Sequence, residues 1–235
     1  MTKQERAART RHALVKSAAA AFGACGYAEA TLNMISAGAG VSAGALHFHF
    51  ENKAAVGLAV EGAAARALRG LAADVYAARK SGLQALTDTS YALAQALRTD
   101  QVVRAGFRLG REAAFETSCD LRGEWRRHVG LLLAEAAEEG TLLPGVSLRD
   151  AVAVVVAATT GLEVLGRDDP EWISHRSLTG FWRVVLPCLA APEALDVLGA
   201  GAGPPGPGPG PGIGWSRDSL SRAGRRGCGL PHPSP

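Results

Sequence analysis

The chain has 235 residues, 47% of them hydrophobic, which is ample for a sizeable buried core. Its longest apolar run, residues 151–158, is far below the ~18–20 residues needed to cross a bilayer, and the charged N-terminus lacks the apolar segment of a signal peptide. Four widely separated cysteines (Cys25, Cys119, Cys188, Cys228) form no CxxC or Cys/His ligand set, so no metal site is expected and the thiols are read as reduced, in a cytoplasmic protein.

The net charge is +3, distributed unevenly. Residues 1–55 carry six Lys/Arg against three Asp/Glu, residues 56–199 carry fifteen against eighteen, and residues 200–235 carry four against one. A basic head on an acidic body suits a protein that presents one end to a polyanion.

In the head, Leu14, Ala18, Ala21, Phe22 and Cys25 recur at three- and four-residue steps. They predict an amphipathic helix over 5–22, ended near Gly23 or Gly26. Lys3, Arg6, Arg9 and Arg11 crowd its start, where cations oppose the helix dipole and DNA phosphates would offset that cost. Next comes LNMISAGAGVSAGALHFHFENK, residues 32–53. Leu32 and Ile35 share one helical face, and Leu46 and Phe50 share another. Gly40 is placed for the left-handed turn that ends a helix, and Ser42 for the N-cap of the following one. Helix, glycine turn and capped helix make a helix-turn-helix, whose second helix enters the DNA major groove. Ala43 and Gly44 are small enough to approach a base edge or phosphate. His47 and His49 offer ring nitrogens, and Lys53 a point charge for a phosphate.

Thr31, Ile35, Ala39-Gly40-Val41-Ser42, Gly44, His49-Phe50 and Lys53 together resemble the DNA-binding signature of the TetR family of repressors. The likeness extends over roughly the first 55 residues. The family usually has Tyr where this chain has His47, a shorter donor that changes charge near neutral pH. The resemblance implies Thr31, Ser42, Ala43, Gly44, His47, His49 and Lys53 as the DNA-binding set, a homodimer on a palindromic double-stranded operator, and a helical body that holds a small-molecule effector.

Behind the head, Asn52 is expected to cap a helix over 53–80, with Val56, Val60, Leu68, Leu71 and Val75 as its apolar stripe. Helices follow over 83–97, 101–115, 121–139, 148–165 and 171–189, with Pro187 expected to kink or end the last. Residues 115–121 read as a loop, and no convincing strand is present. From 199 the chain turns Gly/Pro-rich and then basic. It reads as a disordered tail, although not collagen, because Gly does not recur every third residue. The expected organisation is all-α: a DNA-binding head over 1–55, a ligand-binding and dimerisation body over 56–198, and the tail over 199–235.

Within the body, Val102-Val103-Arg104-Ala105-Gly106, Glu124-Trp125 and the Gly161 region, with the ALHFHF end of the recognition helix, resemble the γ-butyrolactone receptor branch of that family, pseudo-receptors included. Trp125 matches a pocket tryptophan of that branch, an apolar wall with one N–H donor. Thr159 and Thr160 could offer hydroxyls to a lactone carbonyl. A butyrolactone, a furan and an antibiotic all remain open as the effector. Catalysis is not expected: no GxSxG, Walker loop, GxGxxG or HExxH is present, and Glu138-Glu139 and Asp168-Asp169 read as solvated charge at helix ends. No cofactor is implied. The reading from another class is a helical interaction module without specific DNA binding.

Overall fold

The computed structural model describes residues 2–78 and 81–201. Ten helices carry these residues: α1 (Lys3–Glu29), α2 (Leu32–Gly38), α3 (Ala43–His49), α4 (Lys53–Ala77), α5 (Gly82–Thr99), α6 (Gln101–Leu109), α7 (Leu121–Glu138), α8 (Leu148–Leu165), α9 (His175–Leu189) and α10 (Pro192–Gly201). A short 3-10 turn, Pro170–Ile173, precedes α9. Among the described residues no strand forms; a single bridge pairs Leu142 with Ala190. None of the described helices is long and apolar enough to cross a membrane.

The helix starts follow from side-chain caps. Thr31, Ser42, Asn52, Ser81, Asp120, Ser147 and Ser174 each accept the backbone N–H three residues on. Each such cap is worth ~1 kcal/mol. Thr2 and Glu5 close a reciprocal capping box at the start of α1.

Three elements differ from the sequence expectation. α1 runs past Gly23 and bends only at Gly26, whose φ of 80° a side chain would resist. α6 stops at Leu109 instead of reaching Phe115. The chain unwinds there and delivers Phe115 into the head core, against Tyr27 at 5.0 Å and directly over Gly57. A Cβ on Gly57 would lie 2.5 Å from the Phe115 ring, so this contact needs glycine. α10 was not expected; it extends to Gly201, into the segment read as tail. The rest of that tail, from residue 202, lies outside the described residues. Pro187 sits in the final turn of α9, which continues to Leu189.

Two apolar clusters hold these elements. The first gathers Leu14, Ala18 and Phe22 of α1, Ile35 of α2, Leu46 of α3, and Val56 and Val60 of α4, with Ala105, Leu109 and Phe115. The second gathers Ala64, Ala65 and Leu68 of α4 with Leu83, Leu86, Val103, Phe107, Trp125, Val129, Leu133, Val155, Leu178 and Trp182. α4 therefore gives successive stretches to the two clusters, while α6 gives them alternate residues, Ala105 and Leu109 to the first and Val103 and Phe107 to the second. Their own contact is close: a Cβ on Gly106 would fall 2.3 Å from the Ala64 methyl. Burying such aliphatic side chains is worth ~1.5–3 kcal/mol each, so a displacement of either helix is felt in both cores.

Candidate DNA-reading head and effector core

The turn between α2 and α3 is set by backbone geometry. Gly40 adopts φ 68°. Val41 N–H bonds Ser36 O at 3.0 Å and Gly40 N–H bonds Ala37 O at 3.0 Å, the paired bonds that close a helix on a left-handed glycine. Two residues later Ser42 Oγ accepts from Ala45 N–H at 3.2 Å and starts α3. The hairpin is fastened to α1 where Ser17 donates its hydroxyl to Ile35 O at 2.8 Å. Leu46 and Phe50 turn α3 inward, and Arg11 of α1 lies 5.1 Å over the Phe50 ring.

The opposite face of α3 is open. Ser42, Ala43, Gly44 and His47 are exposed, and His49 is half-buried. Thr31 is exposed at the start of α2, its hydroxyl accepting from Met34 N–H. The structure also displays Phe48, 78% exposed, with its ring edge-on to His49 at 5.1 Å. Sequence reasoning omitted Phe48, yet a signal was there. Phe50 is the apolar anchor, and a residue two positions away lies on the far side of a helix.

Lys53 is placed differently from the phosphate contact expected of it. Its ammonium donates to Tyr27 O at 3.0 Å and Ala28 O at 2.9 Å, and sits 4.8 Å over the Tyr27 ring. These are carbonyls of the last turn of α1, where a cation meets the negative end of the helix dipole. The first residue of α4 thus clamps the end of α1 beyond its bend at Gly26.

In the body, two of the three expected effector residues come together. Trp125 on α7 is buried, and its Nε1–H donates to Thr159 Oγ1 on α8 at 2.8 Å. The Thr159 hydroxyl in turn donates to Val155 O at 2.7 Å. Thr160, next on α8, is half-buried and takes no part in this bond. The same core holds polar groups that the sequence does not assign to the effector site. His128, one turn beyond Trp125, places Nε2 3.4 Å from the buried Thr89 hydroxyl, and burial pushes its imidazole below the ordinary histidine range. Trp182 donates to Ser90 at 2.8 Å. Both tryptophan N–H groups are therefore satisfied internally, as a buried indole requires.

Two cavities lie elsewhere. One of about 70 Å³ is lined by Gly106, Phe107, Thr117, Cys119 and Arg122 among others. A cleft of about 810 Å³ lies between α1, α5–α6 and the end of α8, with Arg98, Arg104, Arg108 and Arg167 on its walls. Neither is lined by Trp125, Thr159 or Thr160.

Comparison with known proteins gives a consistent picture. Residues 14–60 match the family described as bacterial regulatory proteins, tetR family. The A-factor receptor protein of Streptomyces griseus is 31% identical over 196 residues, covering 83% of this chain and 69% of that protein. A crystal structure of a gamma-butyrolactone receptor (ArpA-like protein) superposes with a TM-score of 0.73 at 26% identity, covering 84% of this chain and 96% of that one. CprB from Streptomyces coelicolor, in complex with its biological operator sequence, superposes with a TM-score of 0.71 at 27% identity, again over 84% and 96%.

Proposed function

The chain belongs to the tetR family of bacterial regulatory proteins, and on that premise we propose that it is a dimeric repressor released from its operator by a γ-butyrolactone-like effector. It is a DNA-binding regulator, not an enzyme. Its target genes are those of secondary metabolism, antibiotic production included, and it works in the cytoplasm.

The head, residues 1–55, reads the operator. Ala43 and Gly44 let the start of α3 approach the major groove, while His47, His49 and the hydroxyls of Ser42 and Thr31 supply polar contacts. Phe48 adds an apolar surface suited to a thymine methyl. One head reads a half-site, so the operator is a palindrome read by a homodimer, with recognition helices ~34–36 Å apart or a multiple of that. α8 and α9 form the dimer interface of the body, residues 56–198. Their apolar residues Val154, Leu165 and Val184 are 53%, 45% and 71% exposed, a surface a second copy would cover.

The observation that carries the effector half is the bond from Trp125 to Thr159. It is a part-buried donor–acceptor pair on the apolar wall of Trp125, which is what a small lactone needs: an apolar wall and a group for its carbonyl. Trp125 forms the wall, and Thr159 and Thr160 the hydroxyl side. A ligand entering there parts the pair and prefers the conformation in which they are apart. Such differential affinity is the only way a ligand shifts an equilibrium. A gel shift with DNA from upstream of its own gene, repeated with butyrolactones, furans and antibiotics, tests the reading. Retardation abolished by one of these is the expected result. A protein that retards no palindromic DNA is instead a helical interaction module.

A further inference from the structure

Glu61 lies on α4 at the junction of the two apolar clusters, and it is fully buried. An isolated carboxylate taken out of water costs several kcal/mol unless it is paired or fully hydrogen-bonded. Among the described residues no cation pairs with Glu61. A loop satisfies it instead. The Thr117 hydroxyl donates to Oε1. Oε2 accepts from Ser118 N–H at 2.9 Å, the Ser118 hydroxyl at 3.0 Å and Cys119 N–H at 3.1 Å. Thr117 and Ser118 are exposed, so water could serve these donors if the loop moved away. The buried carboxylate has no such substitute.

What this loop holds gives the contact its meaning. Asp120, the next residue, caps α7 by accepting from Gly123 N–H at 2.8 Å. Trp125 follows within the first turns of α7. On the other side, Val56 and Val60 of α4 lie in the head core, and Lys53 at its start clamps the end of α1. Glu61 thus joins the helix that carries the head to the start of the helix that carries Trp125. A second tie between them, Arg69 to Glu124 at 2.7 Å, lies eight residues along, ~12 Å by helical rise. The Arg69 side chain is 58% exposed, and an ion pair so exposed contributes only ~0–1 kcal/mol. The loop also has room to shift: Thr117, Cys119 and Asp120 line the cavity of about 70 Å³.

We propose that Glu61 is the positioning residue that couples effector core to DNA head, a buried latch on residues 117–119 that holds in one of the two conformations and opens in the other. A displacement of α7 by ligand at Trp125 pulls the loop from the carboxylate. α4 then repacks to keep Glu61 hydrogen-bonded, and carries the head with it. The inference rests on the reading of the chain as an effector-released repressor, and it adds the residue through which release travels.

The test uses the full-length chain and a duplex recovered with it from a randomised pool, so no effector is required. Amide exchange at Ser118 and Cys119 is followed with and without the duplex, and duplex Kd by fluorescence anisotropy. In the unaltered protein, exchange at these two amides should slow at least tenfold when the duplex binds, and faster exchange overturns the proposal. Glu61→Leu should make exchange fast in both states and raise the Kd at least fivefold. Glu61→Gln should restore both, because its oxygen can take the place of Oε2 and its amide can donate to the Thr117 hydroxyl. Ser118→Ala should move the Kd in the same direction as Glu61→Leu and add little to it, as expected for two residues of one contact. A carboxylate that only stabilises the fold would lower the melting temperature and leave the Kd alone, which overturns the proposal. Unchanged exchange on duplex binding also overturns it, while the repressor reading stands. Failure to recover any duplex removes both. If Glu61→Leu does not fold, Ser118→Ala and the exchange measurement decide the matter.

Discussion

Lys53→Ala separates two roles that a lysine at the edge of a DNA-binding head can have. Its ammonium donates to Tyr27 O at 3.0 Å and Ala28 O at 2.9 Å, near the bend at Gly26. Hydrogen bonds from a charged donor are worth ~1.5–3 kcal/mol each. Ala28 is exposed and Lys53 half-buried, so water replaces part of what is lost. The net cost should therefore fall below the sum of two such bonds, at about 1–2 kcal/mol for the pair. For a chain of this length ~1 kcal/mol lowers the melting temperature by ~2–4 °C, so a fall of roughly 2–8 °C is expected. The salt dependence of operator binding should stay nearly unchanged, because an ammonium held on carbonyls neutralises no phosphate. A phosphate contact has the opposite signature: an unchanged melting temperature and a slope of log K against log salt reduced by ~1. Thermal unfolding by circular dichroism and a salt series by anisotropy measure both. An unchanged melting temperature with a flattened slope refutes the clamp.

Gly40→Ala meets no steric neighbour, but its φ of 68° disfavours a side chain. It should cost ~1 kcal/mol and weaken operator binding more than it lowers the melting temperature of the body; equal affinity would show that the turn tolerates the strain. Trp125→Phe keeps an aromatic wall and removes the donor to Thr159. It should leave operator affinity near normal and raise the effector concentration needed for release, and loss of DNA binding in a folded dimer would remove Trp125 from the pocket. Burial lowers the His128 pKa below its usual 6.5, so the unfolded chain takes up a proton first as pH falls. Stability should therefore be unaffected above about pH 7 and decline as pH falls through 6.5, and His128→Gln should flatten that part of the melting profile. An identical profile in the variant would show that other groups set it.

Much of the head was legible in the sequence because its determinants are local. Gly40 has one conformational reason to stand between two short helices, and Ser42 has one reason to stand just before α3. Both act through atoms within five residues of themselves, so spacing alone locates them. The same holds for Asn52, and for Leu46 and Phe50 as the inward face of α3. The body's helices follow from apolar periodicity in the same way, with errors where a distant partner decides. α6 ends at Leu109 and not at Phe115 because Phe115 packs on Tyr27 and Gly57, more than fifty residues away in the chain. Trp125 is named from resemblance and Thr159 from the chemistry of its hydroxyl, yet their hydrogen bond and its place in the core belong to the packing of α7 on α8.

Charge was the least legible property. Lys53 reads as a free cation in a basic head, and Glu61 as one carboxylate on an alanine-rich helix. Composition fixes that both are ionisable, but not what faces them. The partners of Lys53 are carbonyls 25 and 26 residues earlier, and those of Glu61 are donors 56 to 58 residues later. Helix, turn and cap are short-range consequences of backbone geometry, so the sequence determines them by itself. The environment of a charge depends on which segments the cores bring together, and only the tertiary structure decides that.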